Sequence, residues 1–369
     1  KMVILKKSVL GMVVLAAIFM AFGLSTAFGA PPTNKPDPTG QDKPSFNYDS
    51  SLRQERGSFA SVGANRQRAA QQSADAAHSA ALQRRQQRRL AGEGASQDVW
   101  GLWVGSTFRH SSIHGMGASG STERYNAGGS AFGLDVLLGE VLLGGCFDAG
   151  DSKSTYHDRY VSSWDESEFY GLTLYADWQH EQLRIYSGLG YSKYEHDTKT
   201  KAVLDSWRVY QKAELDRTAT TAALIVEYTF PGEIVDIKPY AGIKYAQIDT
   251  DTLRMGELKC RTEKQDVVRF PVGVEFSHTF WRDGFSIQPL LNFGVEPVCG
   301  DRVTEAHIYS QSLGTDETAN ARVTDGFYWN AFVGVSAGWE SVGFTLGYGF
   351  QASSHEKEHG VSFGFNWHF

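Results

Sequence analysis

The chain has 369 residues, enough for one large domain with appendages, and it carries 39 glycines and 13% aromatic residues. Its formal charge of -7 differs from the basic surface of nucleic-acid-binding proteins, so no nucleic acid is expected as a partner. A mean hydropathy of -0.33 is too polar for a helical membrane protein but suits a membrane barrel, whose strands place only alternate residues on lipid.

The N-terminus has the three-part plan of a secretory signal peptide. Three lysines accompany an apolar run from Val9 to Leu24, and small residues follow at Ala27 and Gly29. This pattern predicts a cleaved signal peptide over residues 1–29. An uncleaved membrane anchor is the alternative, although the run is shorter than the roughly 20 residues of a spanning helix.

Two segments of different composition follow. Residues 30–64 are rich in Pro, Gly, Ser, Asn and Asp, which predicts a flexible N-terminal arm. Residues 65–92 are rich in Ala, Gln and Arg, which predicts a helix about 40 Å long, enough to thread a bilayer-deep pore. This helix lacks the wide apolar stripe of a core-packing helix. Two interpretations therefore remain: a helix held in the lumen of the barrel, or a solvated tail. Its basic residues are Arg66, Arg68, Arg84, Arg85, Arg88 and Arg89.

From residue 99 onward the chain alternates large apolar residues with small or polar ones, a period-two pattern typical of strands. Twelve such segments are predicted, near 99–111, 127–139, 141–153, 167–180, 183–197, 219–231, 237–249, 267–281, 285–299, 326–340, 342–354 and 359–369. Water-soluble barrels of the lipocalin kind have eight strands and apolar interiors, the reverse of this pattern.

The last strand alternates up to the terminal residue. Its apolar face is formed by Val361, Phe363, Phe365, Trp367 and Phe369. A terminal strand frays unless it is paired within a sheet. In a lipid-facing barrel that closes on its first strand, the aromatic face contacts lipid and no sheet edge is left unpaired. We expect these residues to form an assembly signal.

The connections between the segments alternate in length. Long ones follow the odd strands and short ones follow the even strands, as in outer-membrane barrels with short periplasmic turns. Within the long connection at 198–218, a short amphipathic helix is a further expectation over Ala202 to Leu215. The predicted fold is therefore all-β, a 12-stranded antiparallel transmembrane β-barrel, with an α-helix before it that is a candidate for the lumen.

Strand parity predicts which charged residues face the lumen. They are Arg109, Asp135, Asp148, Asp177, Arg184, Glu227, Lys238, Lys244, Arg269, Glu275, Glu296 and Glu340. This slightly acidic wall could attract the basic helix, since arginine–carboxylate pairs are strong. In the alternative, the wall charges pair with one another.

No catalytic, metal or cofactor site is predicted. His355 and His359 match the H-E-x-x-H string, but they lie in a predicted hairpin, whereas zinc ligands at this spacing need a helix. Ser336 matches G-x-S-x-G, but it lies in mid-strand. The three cysteines lack metal-ligand spacing, although Cys260 and Cys299 are candidates for a disulfide in an oxidising compartment.

Aromatic residues near the strand ends indicate membrane-interface anchors rather than ligand-stacking residues. They are Trp100, Trp178, Trp329, Trp339, Trp367 and Tyr170.

With its signal peptide, linker helix, twelve strands and terminal FGFNWHF, the chain resembles the C-terminal translocator of classical monomeric autotransporters over residues 99–369. The resemblance implies a monomeric outer-membrane domain whose pore holds the preceding helix, here Arg66 to Leu90. It also implies the barrel assembly machinery and periplasmic chaperones as partners. The chain departs from the family in having only a short arm, a vestigial passenger, and no Asn-Asn cleavage pair, since Asn65 stands alone.

The function predicted from the sequence is that of a non-enzymatic autotransporter-type barrel of a Gram-negative outer membrane, which spans the lipid bilayer and anchors or translocates its own N-terminal segment. Two alternatives remain. One is a porin-like channel plugged by the N-terminal helix, and the other is an adhesin that binds through its outer loops.

Overall fold

The computed structural model describes residues 48–90, 100–116, 120–204, 207–255, 258–310 and 315–369. The predicted signal peptide at 1–29 and the start of the predicted arm, 30–47, lie outside these residues. None of the described helices is long and apolar enough to cross a membrane.

The N-terminal part of the described chain forms two consecutive helices, α1 (Tyr48–Leu82) and α2 (Arg84–Leu90). The helix therefore begins at Tyr48 and not at Asn65, and the prediction of a flexible arm is wrong for residues 48–64. Glycine lowers helix propensity, but burial compensates for it here, since Ala60, Val62 and Ala64 are at most 2% exposed. Contacts that no local propensity encodes thus extend the helix.

The rest of the described chain is almost entirely strand. The strands are β1 (Trp100–His114), β2 (Thr122–Leu138), β3 (Val141–His157), β4 (Val161–His180), β5 (Leu183–Leu204), β6 (Trp207–Tyr228), β7 (Asp236–Thr250), β8 (Leu253–Met255), β9 (Leu258–Thr262), β10 (Gln265–Arg269), β11 (Val272–Ser277), β12 (Phe280–Arg282), β13 (Phe285–Gly300), β14 (Val303–Ser310), β15 (Thr315–Arg322), β16 (Phe327–Trp339), β17 (Val342–Ala352) and β18 (Glu356–His368).

These strands build a closed antiparallel barrel whose wall has twelve staves, where a stave is one strand or a row of short consecutive strands that cross the wall together. Strands β1 to β7 are the first seven staves, β10, β11 and β12 together form the eighth, and β13, β16, β17 and β18 complete the wall. Pro271 interrupts the eighth stave, as expected of a residue without an amide hydrogen. The predicted fold class is confirmed.

The last strand closes the barrel on the first. Strand β18 pairs with β1 from Gly101 opposite His368 to Ile113 opposite Glu356. Beyond this ladder, the amide of Trp100 donates to the carbonyl of Phe369 at 3.2 Å, and the amide of Phe369 donates back at 3.1 Å. No edge of the wall is left unpaired at this seam, which removes a route to aggregation.

Two of the predicted long loops contain a second, smaller sheet. It has the strand order β15-β14-β9-β8, with Ala306 opposite Thr262 where β14 meets β9. The hairpin of β5 and β6 is also longer than predicted, because pairing continues to Leu204 opposite Trp207. The amphipathic helix expected over 202–215 is therefore wrong. Thr198 and Thr200, both buried, continue the period-two pattern of β5 instead.

The described part of the barrel is apolar outside and polar inside, with a small core in the lumen. Phe132, Leu172, Leu174, Leu189 and Phe344 are among the exposed outer side chains. A core cluster in the lumen joins Ala77 and Ala81 of α1 to wall residues such as Trp103, Tyr175 and Tyr186. All three cysteines are free thiols, so the Cys260–Cys299 disulfide is not formed.

Candidate functional site

The lumen is occupied by the helix, whose direction is set by contacts at both ends of the barrel. At the end with the long connections, Arg68 Nε donates to the carbonyl of Val323 at 2.7 Å. At the opposite end, Arg85 Nη1 donates to the carbonyl of Glu140 in a short turn at 2.8 Å. The part of α1 around Arg68 therefore lies at the long-loop end of the barrel, and α2 lies at the short-turn end.

Between these ends, polar contacts hold the helix along its length. The Tyr194 hydroxyl donates to the carbonyl of Ala70 at 3.1 Å, although a helix interior rarely offers a carbonyl to a side chain. Arg269 Nη2 donates to the Gln71 side chain at 2.9 Å. His78 lies 3.2 Å from the Tyr186 hydroxyl and 2.9 Å from that of Thr221. The helix is thus bonded to several different staves, which fixes its rotation as well as its depth.

A network of buried polar contacts joins α2 to β2. Arg84 Nε lies 2.8 Å from one oxygen of Asp135, and Arg88 Nη1 lies 2.9 Å from the other. The Tyr175 hydroxyl also donates to Asp135 at 3.0 Å and accepts a hydrogen bond from Trp103 Nε1 at 3.0 Å. The guanidinium of Arg84 further lies 5.5 Å from the centre of the Trp103 ring, in cation–π range.

The other helix arginines are divided between two ends. Arg85 lies 3.7 Å from Asp177, whose carboxylate is also bound by Arg184 of the wall. At the long-loop end, Arg66 Nε lies 3.2 Å from Asp165, and Arg68 forms an ion pair with Glu123. Arg89 is exposed. Asp165 and Glu123 were not among the predicted lumen charges, because strands β2 and β4 start earlier than predicted.

Several predicted lumen charges pair with one another, so both sequence-based alternatives occur together. The wall pairs are Arg109–Glu358 at 3.5 Å, Lys238–Glu275 at 2.9 Å, Lys244–Glu296 at 3.6 Å, Arg269–Glu296 at 3.3 Å and Arg184–Glu227 at 3.9 Å. Asp148 is 5% exposed on the inner wall. Glu340 is exposed in the turn between β16 and β17 with a φ of 50°, so its assignment to the lumen is wrong.

Four aromatic residues of the lumen were missed by the sequence analysis: His78, Trp103, Tyr175 and Tyr186. Trp103 lies between the outward residues Leu102 and Val104, and Tyr175 lies between the outward residues Leu174 and Ala176. Alternation along each strand therefore already indicated that these two aromatic side chains point into the lumen. A Cβ atom on Gly133 would lie 2.1 Å from the Trp103 ring. Gly133 on β2 makes room for the Trp103 ring, and Gly144 on β3 makes room for the Tyr175 ring in the same way.

Little free space remains between the helix and the wall in this region. A cavity of about 30 Å³ is lined by Ala77, Ala80, Gly105 and Asp148, among others. This volume suits a few water molecules and is too small for an organic solute. The described helix therefore fills this part of the lumen.

The motifs that the sequence analysis set aside lie apart from any catalytic geometry. His355 Nδ1 lies 2.8 Å from Asp325, and His359 Nδ1 lies 2.5 Å from the Tyr348 hydroxyl. His355 lies in the turn before β18 and His359 lies within β18, so the two residues do not share the helical face that this zinc motif needs. Ser336 Oγ lies 3.1 Å from the Thr345 hydroxyl within the wall.

The outer wall carries the terminal and interfacial aromatics. Phe363, Trp367 and Phe369 are exposed, while Val361 and Phe365 are half-buried, with Phe365 packed 5.2 Å from the ring of Phe344. Trp178 is half-buried, and the remaining predicted anchors are exposed: Trp100, Trp329, Trp339, Trp367 and Tyr170.

Comparisons with known proteins agree with this architecture. The sequence profile of the autotransporter β-domain matches residues 87–349. The chain is 22% identical over 161 residues to an IgA-specific serine endopeptidase autotransporter of Neisseria gonorrhoeae, covering 43% of this chain and 10% of that protein. It thus spans about a tenth of the length of this curated relative.

Solved structures show the same fold. The translocator domain of the autotransporter NalP from Neisseria meningitidis superposes with a TM-score of 0.56 at 13% identity, covering 80% of this chain and 98% of that one. The β-domain of the Bordetella autotransporter BrkA gives 0.57 at 13% identity, covering 74% and 100% of the two chains. The transport unit of AIDA-I from Escherichia coli gives 0.53 at 12% identity, covering 74% and 91%.

Proposed function

We propose, from the premise that this chain belongs to the autotransporter β-domain family and is an outer-membrane barrel with a helix in its pore, that it anchors and presents its own N-terminal segment. In this proposal the segment before α1 is led through the barrel to the outer face, and α1 and α2 remain behind as its tether. The chain itself carries no enzymatic activity.

The observation that carries the proposal is the direction of the helix. Arg68 of α1 contacts Val323 at the long-loop end, and Arg85 of α2 contacts Glu140 in a short turn. Outer-membrane barrels have short periplasmic turns and longer outer loops. A chain that runs in this direction leaves the barrel on the outer side at its N-terminal end, as a presented segment must.

Buried ion pairs hold the helix in the barrel firmly enough for it to act as a tether. The Asp135 carboxylate binds two helix arginines, and all three side chains are buried. Buried charge-assisted hydrogen bonds of this kind are about twice as strong as neutral ones. Pulling the segment outward would expose or separate these charges, so the barrel can resist force on whatever the segment carries.

Delivery and assembly complete the proposal. A cleaved signal peptide over residues 1–29 carries the chain to the periplasm of a Gram-negative bacterium, where chaperones keep it unfolded. The barrel assembly machinery then recognises the terminal strand. The assembled barrel is a monomer in the bilayer.

A second candidate function, a channel closed by its own helix, is supported by the filled lumen. The cavity beside Ala77 and Ala80 has room only for a few water molecules. In this function the N-terminal segment has no role outside, and displacement of the helix opens the pore. An adhesin function would instead use the small sheet of β8, β9, β14 and β15, which lies in the long connections.

Surface labelling of intact cells tests the proposal. A peptide tag is inserted at residue 45, with matched control tags after Met116 in a long connection and after Asp283 in a short turn. We expect an antibody or protease added outside to reach the tag at 45 and the tag after Met116, but not the tag after Asp283 until cells are lysed. Protection of the tag at 45 to the same degree as the tag after Asp283 would overturn the proposal.

A further inference from the structure

A second cluster of buried charges lies near the long-loop end of the lumen, away from Asp135. It consists of Arg66 on α1, Asp165 on β4, His196 on β5 and Arg217 on β6. These four residues are at most 4% exposed. The cluster therefore joins the helix to three neighbouring staves in a place closed to bulk solvent.

The carboxylate of Asp165 is bound by three donors inside the cluster. One oxygen lies 3.2 Å from Arg66 Nε and accepts a hydrogen bond from the Thr198 hydroxyl. The other lies 2.8 Å from His196 Nδ1. The arginine that pairs with Asp165 is therefore Arg66.

Arg217 lacks such a partner. Its Nε donates to the Thr250 hydroxyl at 3.0 Å, but within the described part of the chain no carboxylate lies within ion-pair distance of it. The like charge of Arg66 and the opposite charge of Asp165 both act on Arg217 within the cluster. Since arginine stays protonated in proteins, the cluster holds two positive charges against one negative charge.

Donor atoms of the cluster are also left over. Among the described residues, Nη2 of Arg66 and both Nη1 and Nη2 of Arg217 are buried without a hydrogen-bond partner. A buried donor without an acceptor costs about 1–3 kcal/mol, and more when the group is charged. Such a set of unused donors around excess positive charge has the chemistry of an anion site.

We propose that Arg66 and Arg217 bind a small tetrahedral oxyanion of the phosphate class between the helix and the wall. Two guanidinium groups match the oxygens of such an anion with parallel hydrogen bonds. The anion supplies the missing negative charge and the missing acceptors together. Burial of all four side chains limits the ligand to a small ion. The bound ion holds the helix in place, because it bridges α1 to β6 at the outer end of the lumen.

The proposal makes an unusual prediction for the variant Arg217→Met, which removes the charge and retains most of the side-chain volume. Replacing a buried charge that has no ion-pair partner by an apolar group removes the cost of burying that charge, so we expect the change to be neutral or stabilising. Without phosphate the variant should therefore be at least as resistant to thermal unfolding as the parent protein. With saturating phosphate the parent should become the more resistant of the two.

The test uses the full chain, purified in detergent micelles, with inorganic phosphate titrated against chloride at constant ionic strength. We expect a saturable upward shift of the unfolding midpoint in the parent and in the control Lys193→Met, which removes a partly exposed charge from β5. The shift should be lost in Arg217→Met. Equilibrium dialysis of labelled phosphate against the parent, which needs no variant, should give one saturable site per barrel. Absence of saturable binding to the parent, or a midpoint shift of equal size in Arg217→Met, would overturn the proposal.

Discussion

Arg84 of the helix and Asp135 of the second stave form an ion pair of 2.8 Å in which both side chains are completely buried. The same carboxylate binds Arg88 through its other oxygen at 2.9 Å. One wall residue thereby fixes two positions of the helix that are four residues apart and face the same side.

Asp135→Asn should weaken the folded barrel strongly. An amide has one acceptor oxygen and no charge, so at least one buried arginine loses its partner, at a cost of about 3–5 kcal/mol. Denaturant unfolding of the refolded protein in micelles measures the loss. Asp216→Asn, which removes the exposed partner of Lys193, is the matched control and should have a far smaller effect. Similar losses in the two variants would show that the helix is not held through Asp135.

Deletion of residues 65–91 should raise the single-channel conductance of the barrel in planar bilayers. The described helix fills the lumen beside Ala77 and Ala80, where the remaining gap holds only a few water molecules, so we expect its removal to open a continuous aqueous path. Deletion of residues 31–47 serves as the control and should leave the conductance low. A helix deletion that assembles normally and conducts no better than the parent would contradict a plugged pore.

Gly63→Ala should destabilise the barrel although alanine is the better helix former by about 1 kcal/mol. A Cβ atom at this position would lie 2.7 Å from Cγ2 of Thr262 in the small outer sheet, which is closer than real contacts allow. Thr262→Ser removes that methyl group. The double variant Gly63→Ala/Thr262→Ser should therefore regain the stability lost in the single variant, as measured by thermal unfolding. If the second substitution rescues nothing, the contact between α1 and β9 is not the cause.

Removal of Phe369 should reduce the amount of assembled barrel in the outer membrane. The truncation deletes two backbone hydrogen bonds to Trp100 at the closing seam and an exposed aromatic of the proposed assembly signal. Fractionation followed by gels with and without heating measures assembly, because folded barrels migrate differently. His359→Ala and Ser336→Ala are controls that should assemble better than the truncated chain. Normal assembly without Phe369 would argue against a terminal signal.

The barrel itself could be predicted from the sequence, because its wall follows a strict local rule. Val342, Phe344, Leu346 and Tyr348 alternate with small residues in β17, and one residue of shift would turn that whole face inward. Closure also followed, since the aromatic face continues to Phe369. These features depend only on the period of the pattern and on the avoidance of free edges.

Other features could not be predicted because they depend on contacts between distant segments. The helix extends N-terminal to Asn65, where Ala60, Val62 and Ala64 are buried, and no local propensity reports that burial. The small sheet forms where β9 meets β14, more than forty residues later in the chain. Strand alternation assigns Glu340 to the lumen, but the residue lies in the turn after β16, where its φ of 50° places it outside the wall.

The sequence predicts many of the residues in the lumen network but not which of them pair. Parity identifies Asp135 and Asp177 as inward residues, and composition identifies the helix arginines, but neither assigns the partners. Trp103 and Tyr175 carry the right parity yet are hard to distinguish from lipid-facing aromatics without the register of the neighbouring staves. Register is a property of pairs of strands, which a single pattern does not contain.

Disulfide trapping tests most directly whether the helix occupies the lumen in this position. A Cβ atom on Gly105 of β1 would lie 3.4 Å from that of Ala80, close to the spacing in a disulfide. In a chain whose native cysteines are replaced by alanine, Ala80→Cys/Gly105→Cys should cross-link on mild oxidation of isolated outer membranes. The control Ala80→Cys/Gly360→Cys should not, because Gly360 lies four residues along the neighbouring stave, about 13 Å away. A folded barrel in which the first pair fails to cross-link, or both pairs cross-link equally, would contradict the account.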